Sequence, residues 1–227
     1  MSEDLQNFDG TTRLFPLPNL VLFPFVIQPL HIFEQRYRQM TADALAGDRL
    51  LSVVLLRPGW EAEYQGQPNL HPVACLGRIV ADERLEDGRY NLLVRGLARV
   101  RIVAEMETEK MYRSARVEMM PDGPASPPHV QKHLRRALAR EAPRWLTGHP
   151  ELLQQFQRLF DSDLPLGALC DIFSFALPLE PEFKQELLEE TDVEHRAHGL
   201  IERLHSQTPP TETPTKDRSF PPEFSAN

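Results

Sequence analysis

The tetrapeptide Pro121-Asp122-Gly123-Pro124 separates two stretches of chain that obey different periodicities, and no single regular architecture satisfies both. Before it, apolar residues run in short blocks or alternate with polar ones, as in strands. After it they recur every three or four residues, as on helix faces. A chain of 227 residues with 41% hydrophobic side chains can bury one sizeable core or two modest ones. The expected class is therefore α+β, with a β unit over 11–121, a helical bundle over 125–205 and no internal repeat.

Within the β unit, Thr11 to Pro29 is dense in proline and large apolar side chains. Each proline removes a backbone donor and holds its predecessor in extended geometry, which predicts short edge strands broken by turns. Phe33, Tyr37, Met40, Ala44 and Leu45 share one helical face, with Gly47 as the stop. Leu50 to Leu56 reads as a strand buried on both faces, closed by Arg57-Pro58-Gly59 and followed by a loop from Trp60 to about His71. Val73–Val80 and Tyr90–Ala104 are strand-like and joined at Asp87-Gly88, a tight-hairpin dipeptide; Tyr112–Met119 supplies one more strand. Tyr90, Leu92, Val94, Val100 and Ile102 share one parity and Arg89, Asn91, Arg95, Arg99 and Arg101 the other, which predicts one core face and one wet face. Gly96 between the halves marks a bulge or bend that lets one strand serve two parts of a small barrel.

In the helical half, Ser126 and Pro127 read as N-cap and first helical residue. Three apolar stripes follow: Val130, Leu134, Ala137, Leu138 and Trp145; Leu152, Leu153, Phe156, Leu159 and Phe160; and Leu166, Leu169, Cys170 and Phe173. Pro181 opens a short helix carrying Phe183, Leu187 and Leu188. Thr191-x-x-Glu194 reads as a capping box for a last helix with Val193, Ala197, Leu200, Ile201 and Leu204 inward. Residues 1–10 are polar and acidic and expected to be flexible. Residues 206–227, rich in Pro, Thr and Ser, are expected to form a disordered tail.

The motifs that carry chemistry are missing. No Gly-Lys dipeptide and no Gly-x-Gly occurs, so neither kind of phosphate-cradling loop is present and no cofactor is expected. His129 and His133, four apart, and His195 and His198, three apart, lack the Cys or carboxylate partners of a metal site and read as polar helix faces. Cys75 and Cys170 sit inside apolar runs, where a thiol behaves as a small buried hydrophobe rather than a nucleophile; a reducing cytoplasm fits them. No 18-residue apolar stretch is present, so no membrane span is expected. The reading is of a binding module without catalysis.

Two surfaces are candidates for binding. Phe23, Pro24, Phe25, Val26, Ile27 and Leu30 concentrate apolar bulk in a proline-broken segment, either as core filling or as an exposed site for extended peptides; Trp60 is a similar aromatic anchor. Arg89, Arg95, Arg99 and Arg101, with Arg78 and Arg84, form a basic stripe, extended by Lys132, Arg135, Arg136 and Arg140. That stripe suits RNA or an acidic partner. A net charge of -8 and the lack of stacking aromatics in the stripe argue against nucleic acid.

Three blocks in order, LFPLPNLVLFPFVIQPLHIFEQRYRQM from Leu14, LGRIVADERLEDGRYNLLVRGLARVRI from Leu76 and LCDIFSFALPLEPEFKQELLEETDVEHRAHGLIERL from Leu169, resemble the N-terminal substrate-binding region of Lon proteases. The third is the most specific, through Lys184-Gln185-x-Leu187-Leu188-Glu189 and the acidic turn after it. The resemblance implies a PUA-like β pseudo-barrel with one packed helix, followed by a helical bundle. It further implies binding of unfolded or tagged polypeptide segments without the ATPase and peptidase parts of Lon, and it carries over no residue-level site. PUA-like folds also occur in RNA-binding proteins, the alternative for the arginine stripe.

Overall fold

In a computed structural model, residues 5, 8–63, 66–146 and 150–207 are described, the last segment without the side chains of 150–152. The expected tail beyond residue 207, most of the expected flexible N-terminus and the side chain of Leu152 lie outside what is described. The chain forms two compact units that divide between Met120 and Pro121.

The first unit contains β1 (Thr11–Leu17), β2 (Ile27–Ile32), α1 (Gln35–Leu45), β3 (Leu50–Leu55), β4 (Val73–Arg84), β5 (Tyr90–Met106) and β6 (Ser114–Met119). The strand order is β2-β5-β4-β3-β1-β6, and β6 pairs again with β5, so five strands close into a barrel with β2 outside the ring. β1 and β3 are parallel; every other pairing is antiparallel. Leu14, Leu50, Val54, Ala74, Leu76, Val100, Ala115 and Val117 fill the interior. Inside the same wall, the Ser52 hydroxyl donates to Thr12 Oγ1 at 3.1 Å, so neither buried hydroxyl is orphaned. Leu5 belongs to this core and the half-buried Phe8 packs against it, so the segment expected to be flexible contributes to the core at these two residues.

β1 is not an edge strand, because it lies between β3 and β6. Proline is tolerated at position 16 because Leu14 donates to Arg113 O toward the β6 side, and two residues on, the missing Pro16 N–H would face the same side, where β6 has ended. The expected single parity of β5 fails as well. Leu76 pairs with Ala98 and Gly77 with Gly96, so Leu97 is an extra residue and the alternation resets there. Tyr90, Leu92 and Val94 therefore face the outside of the barrel wall while Val100 and Ile102 face inward, although all five share one parity. The bulge is also the hand-over point, since residues before it pair with β2 and residues after it with β6.

The outer side of the wall is not wet. β3 is buried along all six residues. Tyr37, Met40 and Ala44 of α1 are buried, with the Tyr37 ring edge-on to Phe15 at 4.6 Å.

The second unit is a bundle of α2 (Pro128–Glu141), a 3₁₀ turn (Ala142–Leu146), α3 (Pro150–Asp161), α4 (Leu166–Ala176), α5 (Pro181–Glu189) and α6 (Val193–Ser206). α4 is its axis: Leu166 to Asp171, Phe173 and Ser174 are all buried, and Phe173 packs against Phe156 and Phe160 at 4.5 and 4.7 Å. Trp145 Nε1 donates to Leu204 O at 3.0 Å, tying the 3₁₀ turn to α6.

Both predicted caps shift by one residue. α2 begins at Pro128, and Ser126 instead donates to Glu194 at 2.9 Å. The cap of α6 is Asp192 rather than Thr191, its carboxylate accepting from the Glu194 and His195 amides at 2.8 and 3.1 Å. The His195 amide, then that of Glu194, holds the Asp192 carboxyl below the ordinary aspartate range. A carboxyl whose folded value is depressed contributes stability above its unfolded value and loses it as pH falls through the folded one. The Glu194 and His195 amide NMR shifts should therefore titrate together with a midpoint below about 3.9, the unperturbed aspartate value. A midpoint at or above that value would show that the cap does not form in solution.

Arg135, read as surface charge, is spent internally, and so is Arg196. Arg135 donates to the carbonyls of Phe160 at 2.8 Å, Leu164 at 2.7 Å, Leu159 at 3.1 Å and also Ser162, gathering the carbonyls at the C-terminal end of α3. Arg196 is fully buried, forked onto Asp122 through two 2.9 Å bonds, 3.4 Å from the equally buried Asp171, and donating to Glu190 O at 2.7 Å. Burial pulls its proton affinity down, but Asp171 and Asp122 outweigh that and raise it above the ordinary arginine value. Among the described residues, no helix is long and apolar enough to cross a membrane.

Candidate functional site

The segment before β2 crosses the outside of the barrel wall, and the wall is cut away to receive it. Gly77 and Gly96 are direct cross-strand partners on β4 and β5. A Cβ on Gly77 would lie 2.6 Å from Val94 Cγ1 and 3.2 Å from Leu22 Cδ2; one on Gly96 would collide with the Phe23 carbonyl and lie 3.2 Å from Cys75 Sγ. Leu22 and Phe23 fill the depression and are fully buried.

Two backbone bonds fasten the segment: Phe25 N–H to Gly96 O at 3.1 Å and Gly96 N–H to Val26 O at 2.9 Å. Between them Phe25 has φ +68°, a left-handed conformation that costs a side-chain-bearing residue about 1–2 kcal/mol. Phe25 is 58% exposed, and Ile27 is 52% exposed. Strain and solvent-exposed aromatic area thus coincide at one residue.

The register extends this surface. Ile27 lies across from Arg95, and Arg95 from Arg78; the next row is Pro29, Leu93 and Ala81; the third is His31, Asn91 and Glu83. Cross-strand partners share a sheet face, so Ile27, Pro29 and Leu93 form an apolar step bordered by arginines on one side and polar groups on the other. His31 Nδ1 meets Asn91 Oδ1 at 2.8 Å, and Asn91 donates to Glu83 at 2.9 Å, tying the polar row together.

Of the seven residues proposed for peptide contact, Phe25 and Ile27 are exposed and Trp60 is half-buried at the head of a short 3₁₀ turn (Trp60–Glu63). Phe23, Pro24, Val26 and Leu30 are buried and support the surface from beneath. The four arginines are not brought together. Arg89 is exposed but bonded to Asp87 at 2.6 Å, Arg95 is half-buried beside Ile27, Arg99 is only 3% exposed, and Arg101 is exposed. The bulge at Leu97 puts Arg99 and Arg101 on the opposite sheet face from Arg95. The glycine pair is the part that sequence reading missed; two glycines inside strand patterns were its signal.

A separate cleft of about 450 Å³ lies where Tyr37 of α1, Pro68 and the β5–β6 connection meet. Its cations are matched: Arg113 to Glu105 at 2.5 Å and Lys110 to Asp43 at 2.9 Å. The Lys110 ammonium, and then the Tyr112 hydroxyl at 2.8 Å, hold the Asp43 carboxyl below its ordinary range. Met106 and Met111 line its exposed rim. Among the described residues, no group of three His, Cys, Asp or Glu side chains is placed to hold a metal ion.

The family model for the substrate-binding domain of ATP-dependent protease La (Lon) matches residues 11–206. Lon protease 2 of Myxococcus xanthus is 31% identical over 192 residues, 85% of this chain and 23% of the relative. Lon protease of Anaeromyxobacter dehalogenans is 28% identical over 200 residues, 88% of this chain and 24% of the relative. The chain thus spans about a quarter of the length of these relatives. Among solved structures, the N-terminal domain of a Mycobacterium avium complex Lon protease superposes with TM-score 0.67 at 19% identity, covering 87% of this chain and 99% of that one. A Lon N-terminal domain protein from Xanthomonas campestris gives 0.61 at 23% identity, covering 88% and 99%. Both share the fold.

Proposed function

The chain belongs to the Lon substrate-binding domain family, and from that premise we propose that it is a recognition module for exposed apolar stretches of unfolded or tagged polypeptide, with no ATPase or peptidase chemistry of its own. The observation that carries the reading is Phe25, strained in backbone and exposed in side chain, beside an exposed Ile27. Folding alone favours neither, so a contact with something outside the unit is the physical reason to keep both. The thiols of Cys75 and Cys170, buried and outside any disulfide, support a reducing cytoplasm as the setting.

The test is a fluorescence anisotropy titration with a reduced, alkylated and therefore permanently unfolded model protein. Phe25→Ser combined with Ile27→Ser should weaken binding by about tenfold or more, as loss of a central aromatic and aliphatic anchor does, while circular dichroism and melting stay unchanged. Both side chains point to solvent, so the variant keeps the buried residues beneath them. Affinity equal to that of the unsubstituted chain would remove the reading.

A further inference from the structure

The surface at Phe25 and Ile27 lies next to β2, which pairs with β5 alone among the described strands and so has an open edge. An open edge beside apolar side chains invites an extended peptide to add as a further strand, with backbone pairing supplying affinity. The direction of the backbone groups along β2 can be worked out. Gly96 directs its N–H and C=O toward the β2 side, while the Arg89 carbonyl is directed at Leu85 on the β4 side. Backbone groups alternate along a strand, so Tyr90, Leu92 and Val94 bond to β2, and through the register they meet Ile32, Leu30 and Gln28. Ile27, Pro29 and His31 are left pointing outward.

The middle of those three outward positions lacks its donor and has its acceptor already engaged. Pro29 has no N–H to donate. Its carbonyl already accepts from the Gln28 side-chain amide at 2.6 Å. An incoming strand would meet no donor, and an acceptor it must share with the Gln28 amide, at the centre of a six-residue strand.

Resting on the functional reading above, we infer that this site takes its client through apolar side chains without backbone pairing, and that Pro29 with Gln28 bars strand addition. The client class is then any apolar segment, whether extended or helical, rather than one that must become a β-strand. Closing the edge also keeps the exposed Phe25 and Ile27 from seeding edge-to-edge pairing of two copies.

The experiment uses the 227-residue chain and three fluorescein-labelled peptides of alternating leucine and serine, one plain and two N-methylated on every second backbone nitrogen, one in each register. N-methylation removes the donors that strand addition needs and leaves the side chains. The unsubstituted protein should bind the plain and methylated peptides within about twofold of each other, and Gln28→Ala combined with Pro29→Val, which reopens the edge, should prefer the plain peptide by about tenfold. Methylation-sensitive binding by the unsubstituted protein would overturn this inference and leave the functional reading intact. Equal binding of plain and methylated peptides by the reopened variant would also overturn it, since the closed positions would then not matter. Failure of the unsubstituted protein to bind any of the peptides would overturn the functional reading, and this inference with it.

Discussion

Replacing Arg196 by methionine is expected to lower the stability of the helical unit by about 3–5 kcal/mol, the usual result of removing one partner from a buried ion pair. The guanidinium has no exposure and serves Asp122, Asp171 and the Glu190 carbonyl together. Methionine fills much of the same volume, but it leaves the buried Asp171 carboxylate without its counter-charge. A second variant, Arg196→Met with Asp171→Leu, should recover most of the loss, because the uncompensated charge rather than the missing bond dominates. Urea unfolding followed by Trp145 fluorescence in a Trp60→Phe background reads the helical unit selectively, since these are the only two tryptophans. A loss below about 1 kcal/mol for the single variant would show that water reaches Asp171 and that the site is not dry.

Gly96→Val should disable the barrel unit in two ways. The new side chain collides with the Phe23 carbonyl, a backbone atom that cannot swing aside, so the whole crossing segment must lift. Overpacking of this kind costs about 1–3 kcal/mol or more. Lifting also breaks the two bonds that hold Phe25 in place, so binding of the unfolded model protein should fall together with the melting temperature. Gly77→Ala is the matched control. Its nearest neighbours include the methyl ends of Val94 and Leu22, although the Arg95 carbonyl at 3.2 Å also crowds it, so a smaller loss is expected. Gly96→Val with unaltered melting and binding would mean that the segment does not lie against the sheet in solution.

What could be read in the sequence was the local chemistry. The α1 stripe Tyr37, Met40 and Ala44 is buried, Asp87-Gly88 turns the β4–β5 hairpin with Gly88 at φ +81°, and β3 is buried on both faces. Each rests on near-neighbour spacing, which periodicity reports directly. What could not be read depended on a partner far along the chain. Parity along β5 fails at one extra residue, Leu97, and with it fails the arginine stripe; periodicity carries no mark of an inserted residue except the glycine beside it. Arg196 looks like any helix arginine until Asp122, distant in sequence, is brought against it. At the candidate site, the apolar run was legible, but the division into Phe25 and Ile27 outside and Phe23, Val26 and Leu30 inside was not. That division follows from the glycine depression, which needs two strands in register.

The position of β1 between β3 and β6 has a consequence in time. Leu14 pairs beside Ser52, and Thr12 beside Ala115. During synthesis at roughly 5–20 residues per second, the hundred or so residues separating β1 from β6 take about 5–20 s to appear. Throughout that interval Leu14 and Phe15 have been made and the barrel cannot close. A protein proposed to hold the apolar segments of other chains is, while being made, such a segment itself.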